Sequence, residues 1–195
     1  MNSRNMDLRL PEHYLITPEP ETGRESLDFL PRLSAALQQG IKLVQLRAKT
    51  IDESAFTKLA GDASDICRQA GSRLIVNGEP SLLSEVDADG VHLSSARLMA
   101  CTQRPLGHGK LISAACHNLA ELLHAQRLGV DFVTLSPVLA TTSHPGATAL
   151  GWKRFGELAA AVQIPIYALG GMTRDQLELA KAHGAHGIAA ITGLW

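Results

Sequence analysis

Short apolar runs rich in β-branched residues alternate with amphipathic stretches along nearly the whole chain. The runs fall at His13–Thr17, Lys42–Arg47, Arg73–Asn77, Gly90–Leu93, Leu111–Ala115, Asp131–Leu135, Pro165–Leu169 and Gly187–Ile191. Many are continuously apolar rather than alternating, the pattern of parallel strands covered on both faces. Between several of them lie segments of helical period, such as Leu119–Leu128, Phe155–Val162 and Gln176–His183. Another runs from Ser26 through Gln39, amphipathic and closed by Gly40. A glycine, a small apolar residue and Asp or His recur before a strand, in Leu128-Gly129-Val130-Asp131 and His183-Gly184-Ala185-His186. That recurrence reads as repeated helix-to-strand units. Eight strands in such an alternation predict an α/β fold, a (β/α)8 TIM barrel, in preference to an open doubly wound sheet.

The pattern stops early. After the eighth strand only Thr192-Gly193-Leu194-Trp195 remains, so the usual closing helix is missing. The chain reads as one domain over residues 1–195, with 1–12 as an N-terminal extension. An open seam of this kind predicts an exposed apolar patch, covered by the first dozen residues, by a second copy in a homodimer, or by a fused or partner domain.

Composition narrows the partners. A formal charge of −1 over 195 residues argues against a nucleic-acid or membrane-surface binder. No apolar run approaches the roughly 20 residues that span a bilayer. The first five residues lack the apolar core of a secretory signal. Cys67, Cys101 and Cys116 are widely spaced, without the pattern of a zinc site, and read as reduced thiols of a cytoplasmic protein.

The chemistry of a barrel gathers at the C-terminal ends of its strands. The double glycine of Ala168-Leu169-Gly170-Gly171-Met172-Thr173 follows the seventh strand, and Ile191-Thr192-Gly193 follows the eighth. Two successive glycine turns that present bare backbone N–H groups suit a phosphate. The alternative is that Gly170 and Gly171 only make a tight turn. Gln45, Arg47 and Lys49 end the second strand, Asn77 the third, and His92 with Ser94, Ser95 and Arg97 the fourth. Alternate residues point the same way, so Arg47 and Lys49 would project two cations into one mouth, toward an anionic substrate. Their alternative is a solvated strand end. Cys116 and His117 follow the fifth strand; a long loop, Ser136 to Gly146, follows the sixth and carries Thr141, Thr142, Ser143 and His144, suited to phosphate oxygens. His92 lies in an apolar strand and reads as a core histidine; His108, His124, His183 and His186 read as structural. No cluster of carboxylates marks a metal site, since Asp87 and Asp89 precede the fourth strand, at the opposite end.

With these residues in place, the chain resembles the thiamine phosphate synthase and thiazole tautomerase family. The carriers are Val44 to Lys49, Leu74 to Asn77, Ala88 to Leu93, the Thr141–His144 loop and Ala168 to Met172. The resemblance implies a barrel that joins a pyrimidine methyl diphosphate to a thiazole phosphate, with magnesium, Arg and Lys meeting the leaving diphosphate. It implies that Gln45 touches the pyrimidine, that Arg47, Lys49 and Asn77 hold the diphosphate, and that Thr141, Ser143, Gly170, Gly171, Ile191 and Thr192 hold the thiazole phosphate.

Several positions depart from that family pattern. Gly78 stands where the synthases carry an aspartate, Arg97 where they carry a second metal-binding aspartate, Ala115 for a serine and His144 for a lysine. The tautomerase histidine falls at Pro137. Magnesium therefore lacks its expected carboxylates, and no residue is assigned to a metal. Three readings follow: a synthase in which Arg97 stands in for the metal through its guanidinium fork, a thiazole tautomerase-like enzyme acting on a phosphorylated heterocycle, and a non-catalytic phosphate-ligand module. His144 and His117 are candidates for an acid or base.

Overall fold

The computed structural model describes residues 9–20, 28–107, 109–141, 146 and 148–195. Eight parallel strands close into a barrel in chain order. They are β1 (His13–Ile16), β2 (Leu43–Leu46), β3 (Arg73–Asn77), β4 (Gly90–Leu93), β5 (Leu111–Cys116), β6 (Phe132–Leu135), β7 (Ile166–Leu169) and β8 (Gly187–Ala190). The helices are α1 (Phe29–Gln38), α2 (Glu53–Gln69), α3 (Ser95–Ala100), α4 (Leu119–Arg127), α5 (Gly151–Ala159) and α6 (Leu177–Ala182). A 3-10 turn, Pro80–Ser84, stands in for a helix between β3 and β4.

Sequence periodicity places the strands within a residue or two and misses α2, the longest helix. Its start is marked by Asp52, whose carboxylate accepts the Ala55 N–H at 2.8 Å. Side chains alternate across the barrel wall. Tyr14, Leu43, Ile75, Leu111, Phe132, Tyr167 and Ala189 pack inside, with the Tyr14, Phe132 and Tyr167 rings 5.3–5.4 Å apart. Their neighbours, among them Leu15, Val44, Val76 and Val133, pack outward with the helices.

The carboxylates before β4 and β6 are fasteners at the N-terminal end of the barrel. Asp89 accepts the Leu74 N–H at 2.8 Å, and Asp131 accepts the Ile112 N–H at 2.7 Å while pairing with Arg104 at 2.8 Å.

Residues 9–12 seal the N-terminal end of the barrel; residues 1–8, the rest of the segment expected over the seam, lie outside the described residues. Tyr167 donates to the Pro11 carbonyl at 2.5 Å, His186 Nε2 lies 2.8 Å from the Leu10 carbonyl, and Ile188 donates to the Glu12 carbonyl at 2.9 Å. Leu194 is buried, and the Trp195 ring lies 5.2 Å from that of Phe29, with the Arg32 guanidinium 5.3 Å from its centroid. Among the described residues, the exposed large apolar side chains are Met99, Leu119, Leu123 and Leu179, on α3, α4 and α6. No helix among the described residues is long and apolar enough to cross a membrane.

Candidate active site

The mouth of the barrel divides into two halves on opposite sides of the strand ring. On one side, β6, β7 and β8 end around a cavity of about 530 Å³. Its walls include His117, Thr141, Gly170, Gly171, Thr192 and Gly193. The loop after β6 lies along the end of β7: Val138 donates to the Leu169 carbonyl at 2.8 Å and Leu139 to that of Gly170 at 3.1 Å. That contact explains the double glycine. Gly170 and Gly171 have φ of 103° and 69°. A Cβ on Gly170 would stand 2.9 Å from Pro137, and one on Gly171 would stand 2.9 Å from the Ala140 carbonyl.

The described backbone hydrogen bonds leave the N–H groups of Gly171, Met172, Thr192 and Gly193 without a backbone acceptor. These four residues line the cavity at the ends of two neighbouring strands, and free N–H groups in such a place can receive an anion. Thr141, Gly170, Gly171, Ile191 and Thr192 are thus brought together. Thr142, Ser143 and His144 lie outside the described residues, as does His108.

His117 shares this cavity. Its Nδ1 is 2.8 Å from the Ser136 carbonyl. A carbonyl only accepts, so Nδ1 carries the proton and Nε2 is the nitrogen left for a bound molecule. The backbone N–H of His117 is held by Glu121 at 2.6 Å.

On the other side, Gln45 and Asn77 meet at the ends of β2 and β3. Asn77 Nδ2 donates to Gln45 Oε1 at 2.9 Å, and Gln45 Nε2 donates to the Tyr14 hydroxyl at 2.9 Å. Gln45 is only 1% exposed. His92 faces the same interior, with Nδ1 2.8 Å from Ser113 Oγ. Burial pushes its pKa down to about 3, so the ring is neutral, a core histidine as the sequence implies.

The cations of this half are not equally available. Arg47 NH1 donates to Glu19 Oε2 at 3.2 Å. The same carboxylate receives the backbone N–H of Lys49, and the N–H and hydroxyl of Thr50 at 2.7 and 2.9 Å. Burial raises the Glu19 pKa, but the hydrogen bonds from Thr50 and Lys49 and the charge of Arg47 outweigh it, and the carboxylate sits below its usual range. Lys49 makes no ion pair among the described residues and stays exposed. Arg97, on α3, donates from Nε to Glu79 Oε1 at 2.5 Å. Gly78 is buried, and a Cβ there would collide with the Leu82 side chain.

Sequence reading did not single out Glu19, Glu79, Tyr14 or Ser113. Glu19 lies between two prolines and looks like linker; Glu79 opens a turn; Tyr14 and Ser113 read as strand residues. Among the described residues no group of three His, Cys, Asp or Glu side chains converges to hold a metal.

The chain is similar to known proteins over nearly all its length. The family described as thiamine monophosphate synthase matches residues 13–194. A putative thiamine-phosphate synthase 2 of Aquifex aeolicus is 33% identical over 185 residues, covering 95% of this chain and 98% of the relative. A thiamine-phosphate synthase of Chlorobium luteolum is 37% identical over 174 residues, covering 86% and 79%. Among solved structures, the thiamine phosphate pyrophosphorylase of Pyrococcus furiosus superposes with a TM-score of 0.74 at 22% identity, covering 93% of this chain and 85% of that one. At that identity the superposition establishes the shared barrel.

Proposed function

The chain belongs to the thiamine monophosphate synthase family, and from that premise we propose that it joins a pyrimidine methyl diphosphate to a thiazole phosphate. The observation that carries this reading is the cavity at Gly171, Met172, Thr192 and Gly193, whose N–H groups have no backbone acceptor among the described residues, at the same end of the barrel as the Gln45–Asn77 pair. One side suits a phosphate ester, the other a polar ring with a leaving group beside it.

In the reaction, the bond between the pyrimidine methylene and the diphosphate oxygen breaks, and its electron pair leaves with the diphosphate. The thiazole ring nitrogen then gives its lone pair to the resulting cation, forming the new carbon–nitrogen bond. Negative charge grows on the diphosphate, so fixed positive charge there accelerates the step. Lys49 and Arg97 supply it, with Asn77 and Arg47 beside them. Thr141 and the glycine turns hold the thiazole phosphate. The site acts on phosphorylated small molecules, and the protein works in the cytoplasm.

The residues at this mouth do not fit a magnesium ion. Gly78 offers no ligand, Arg97 brings a charge that repels a cation, and no three carboxylate, His or Cys side chains converge there among the described residues. Arg97 instead presents its two remaining nitrogens to phosphate oxygens, a fork suited to that task.

The test is thiamine phosphate formation by the purified chain from the two substrates, with magnesium and with a chelator. Turnover on the order of 1 per second, insensitive to the chelator, is the expected result. No product in either condition would overturn the synthase reading.

A second reading, a thiazole tautomerase, is favoured by His117. Pro137 removes the family's tautomerase histidine, but His117 places an imidazole nitrogen at the same cavity, beside Ser136. Isomerisation of a thiazole phosphate, lost in His117→Ala, would support it.

A further inference from the structure

Five side chains form a hydrogen-bonded chain across the inside of the barrel. Asn77 Nδ2 donates to Gln45 Oε1 at 2.9 Å, and Gln45 Nε2 donates to Tyr14 Oη at 2.9 Å. Tyr14 Oη lies 3.4 Å from Ser113 Oγ, which lies 2.8 Å from His92 Nδ1. Tyr14, Ser113, Gln45 and His92 are all buried. Gln45 donates to Tyr14. With the His92 tautomer that leaves Nδ1 unprotonated, the rest of the chain follows: the Tyr14 hydroxyl donates to Ser113, and Ser113 donates to Nδ1.

The consequence falls on Gln45. A primary amide has two N–H donors and two acceptor lone pairs. One donor is spent on Tyr14 and one acceptor on Asn77, which leaves one of each for a ring at the mouth. Their order along the amide edge depends on which way the amide is turned. As held, the oxygen lies on the Asn77 side, toward β3, and the nitrogen lies over Tyr14. A rotated amide would exchange donor and acceptor.

On the synthase reading above, we infer that Tyr14 is a positioning residue that fixes the Gln45 amide and thereby selects the ring edge the site accepts. The edge selected is an exocyclic amine beside an unprotonated ring nitrogen. The 4-oxo form of the same ring offers a carbonyl beside an N–H, which is the complement of the rotated amide. Tyr14 never touches the ring; it decides which of two isosteric rings fits. Burial favours the neutral Tyr14 hydroxyl.

The experiment measures, by calorimetry on the full chain, the affinities of a 4-aminopyrimidine methyl diphosphate and of its 4-oxo counterpart. The unsubstituted protein is expected to prefer the amine by about 100-fold, because the wrong edge leaves buried polar groups unpaired. Tyr14→Phe frees the amide to rotate, and the preference falls to about 3-fold or less. A merely structural role would weaken both rings equally and leave the ratio unchanged. Ser113→Ala, a one-atom deletion, lets the Tyr14 proton turn back toward Gln45, and the ratio falls there too. Thiazole phosphate binding, measured in parallel, reports that each variant is folded. An unchanged ratio in folded variants overturns the role of Tyr14 alone. If the unsubstituted protein binds thiazole phosphate but neither pyrimidine, the synthase reading falls and this assignment falls with it.

Discussion

Arg97 donates from Nε to Glu79 Oε1 at 2.5 Å, tying the helix after β4 to the turn after β3. Their side chains are 38% and 63% exposed. A pair so open to water is worth about 1 kcal/mol at most, so a diphosphate carrying several charges can draw Arg97 away from Glu79. The pair orients the guanidinium without locking it.

Arg97→Ala is therefore expected to lower kcat/KM for the pyrimidine diphosphate by about 100-fold, the effect of removing one donor aimed at developing charge. Arg97→Lys recovers only part of the loss, since a point charge replaces a fork. Glu79→Gln lowers KM by releasing the guanidinium. Steady-state rates across this series decide the matter: an Arg97→Ala enzyme at full rate would show that the leaving group draws its charge from elsewhere.

The Glu19 carboxylate separates the roles of Arg47 and Lys49. Arg47 already has a negative partner at 3.2 Å, whereas Lys49 gives Glu19 only its backbone N–H. Lys49→Ala is expected to raise KM for the diphosphate substrate by about 10-fold, and Arg47→Ala by less, because an unpaired cation contributes more to a mouth's potential than a paired one. Raising the salt concentration should erase most of the Lys49 effect. Equal losses in both variants would mean that the substrate displaces Glu19 from Arg47.

The barrel was legible because its strands are continuous apolar runs and its turns carry glycines, both local signals. Gly170 and Gly171 were legible for the same reason: two consecutive positive φ angles beside another loop leave no room for a side chain. The partners of the charged groups were not. Glu19 and Arg47 lie 28 residues apart, Glu79 and Arg97 lie 18 apart, and Tyr14 meets Ser113 across 99. Such pairs follow from strand register and barrel closure, which no local pattern reports. The same closure assigns residues 9–12 to the N-terminal end of the barrel, where the edges of β7 and β8 offer them hydrogen bonds.

His92 makes stability depend on pH. Burial holds its pKa at about 3 in the folded protein, against 6.5 as its ordinary value. The unfolded chain thus binds the extra proton first, and stability is fully present above about pH 6.5 and lost as pH falls toward 3. The slope is up to about 1.4 kcal/mol per pH unit for this one group. Burial also lowers the pKa of His13, which adds to the slope, and the depressed Glu19 joins below the ordinary carboxylate range. Urea unfolding between pH 7 and 5 should show the loss, and His92→Gln should flatten it by about one proton's worth. An undiminished slope in that variant would mean that another group takes up the proton.

Gly171 and Gly129 share one backbone angle and differ in surroundings, which isolates what the double glycine does. Both have φ of 69°. A Cβ on Gly129 meets nothing within 4 Å, whereas one on Gly171 stands 2.9 Å from the Ala140 carbonyl and 2.9 Å from Leu139 Cβ. Gly129→Ala should therefore cost only the left-handed conformation, about 1–2 kcal/mol, and leave thiazole phosphate affinity intact. Gly171→Ala carries the same conformational cost and adds a clash that backbone atoms on both sides must relieve. Relief shifts the loop after β6 or turns the Gly171 N–H away from the cavity, and either loses a hydrogen bond to a charged group, about 1.5–3 kcal/mol. The expected result is a fall in thiazole phosphate affinity of about 10- to 100-fold for Gly171→Ala alone, measured by calorimetry beside thermal unfolding of both variants. Equal affinities in the two would show that the phosphate does not sit on this turn, and that the double glycine serves only to let the β6 loop pass.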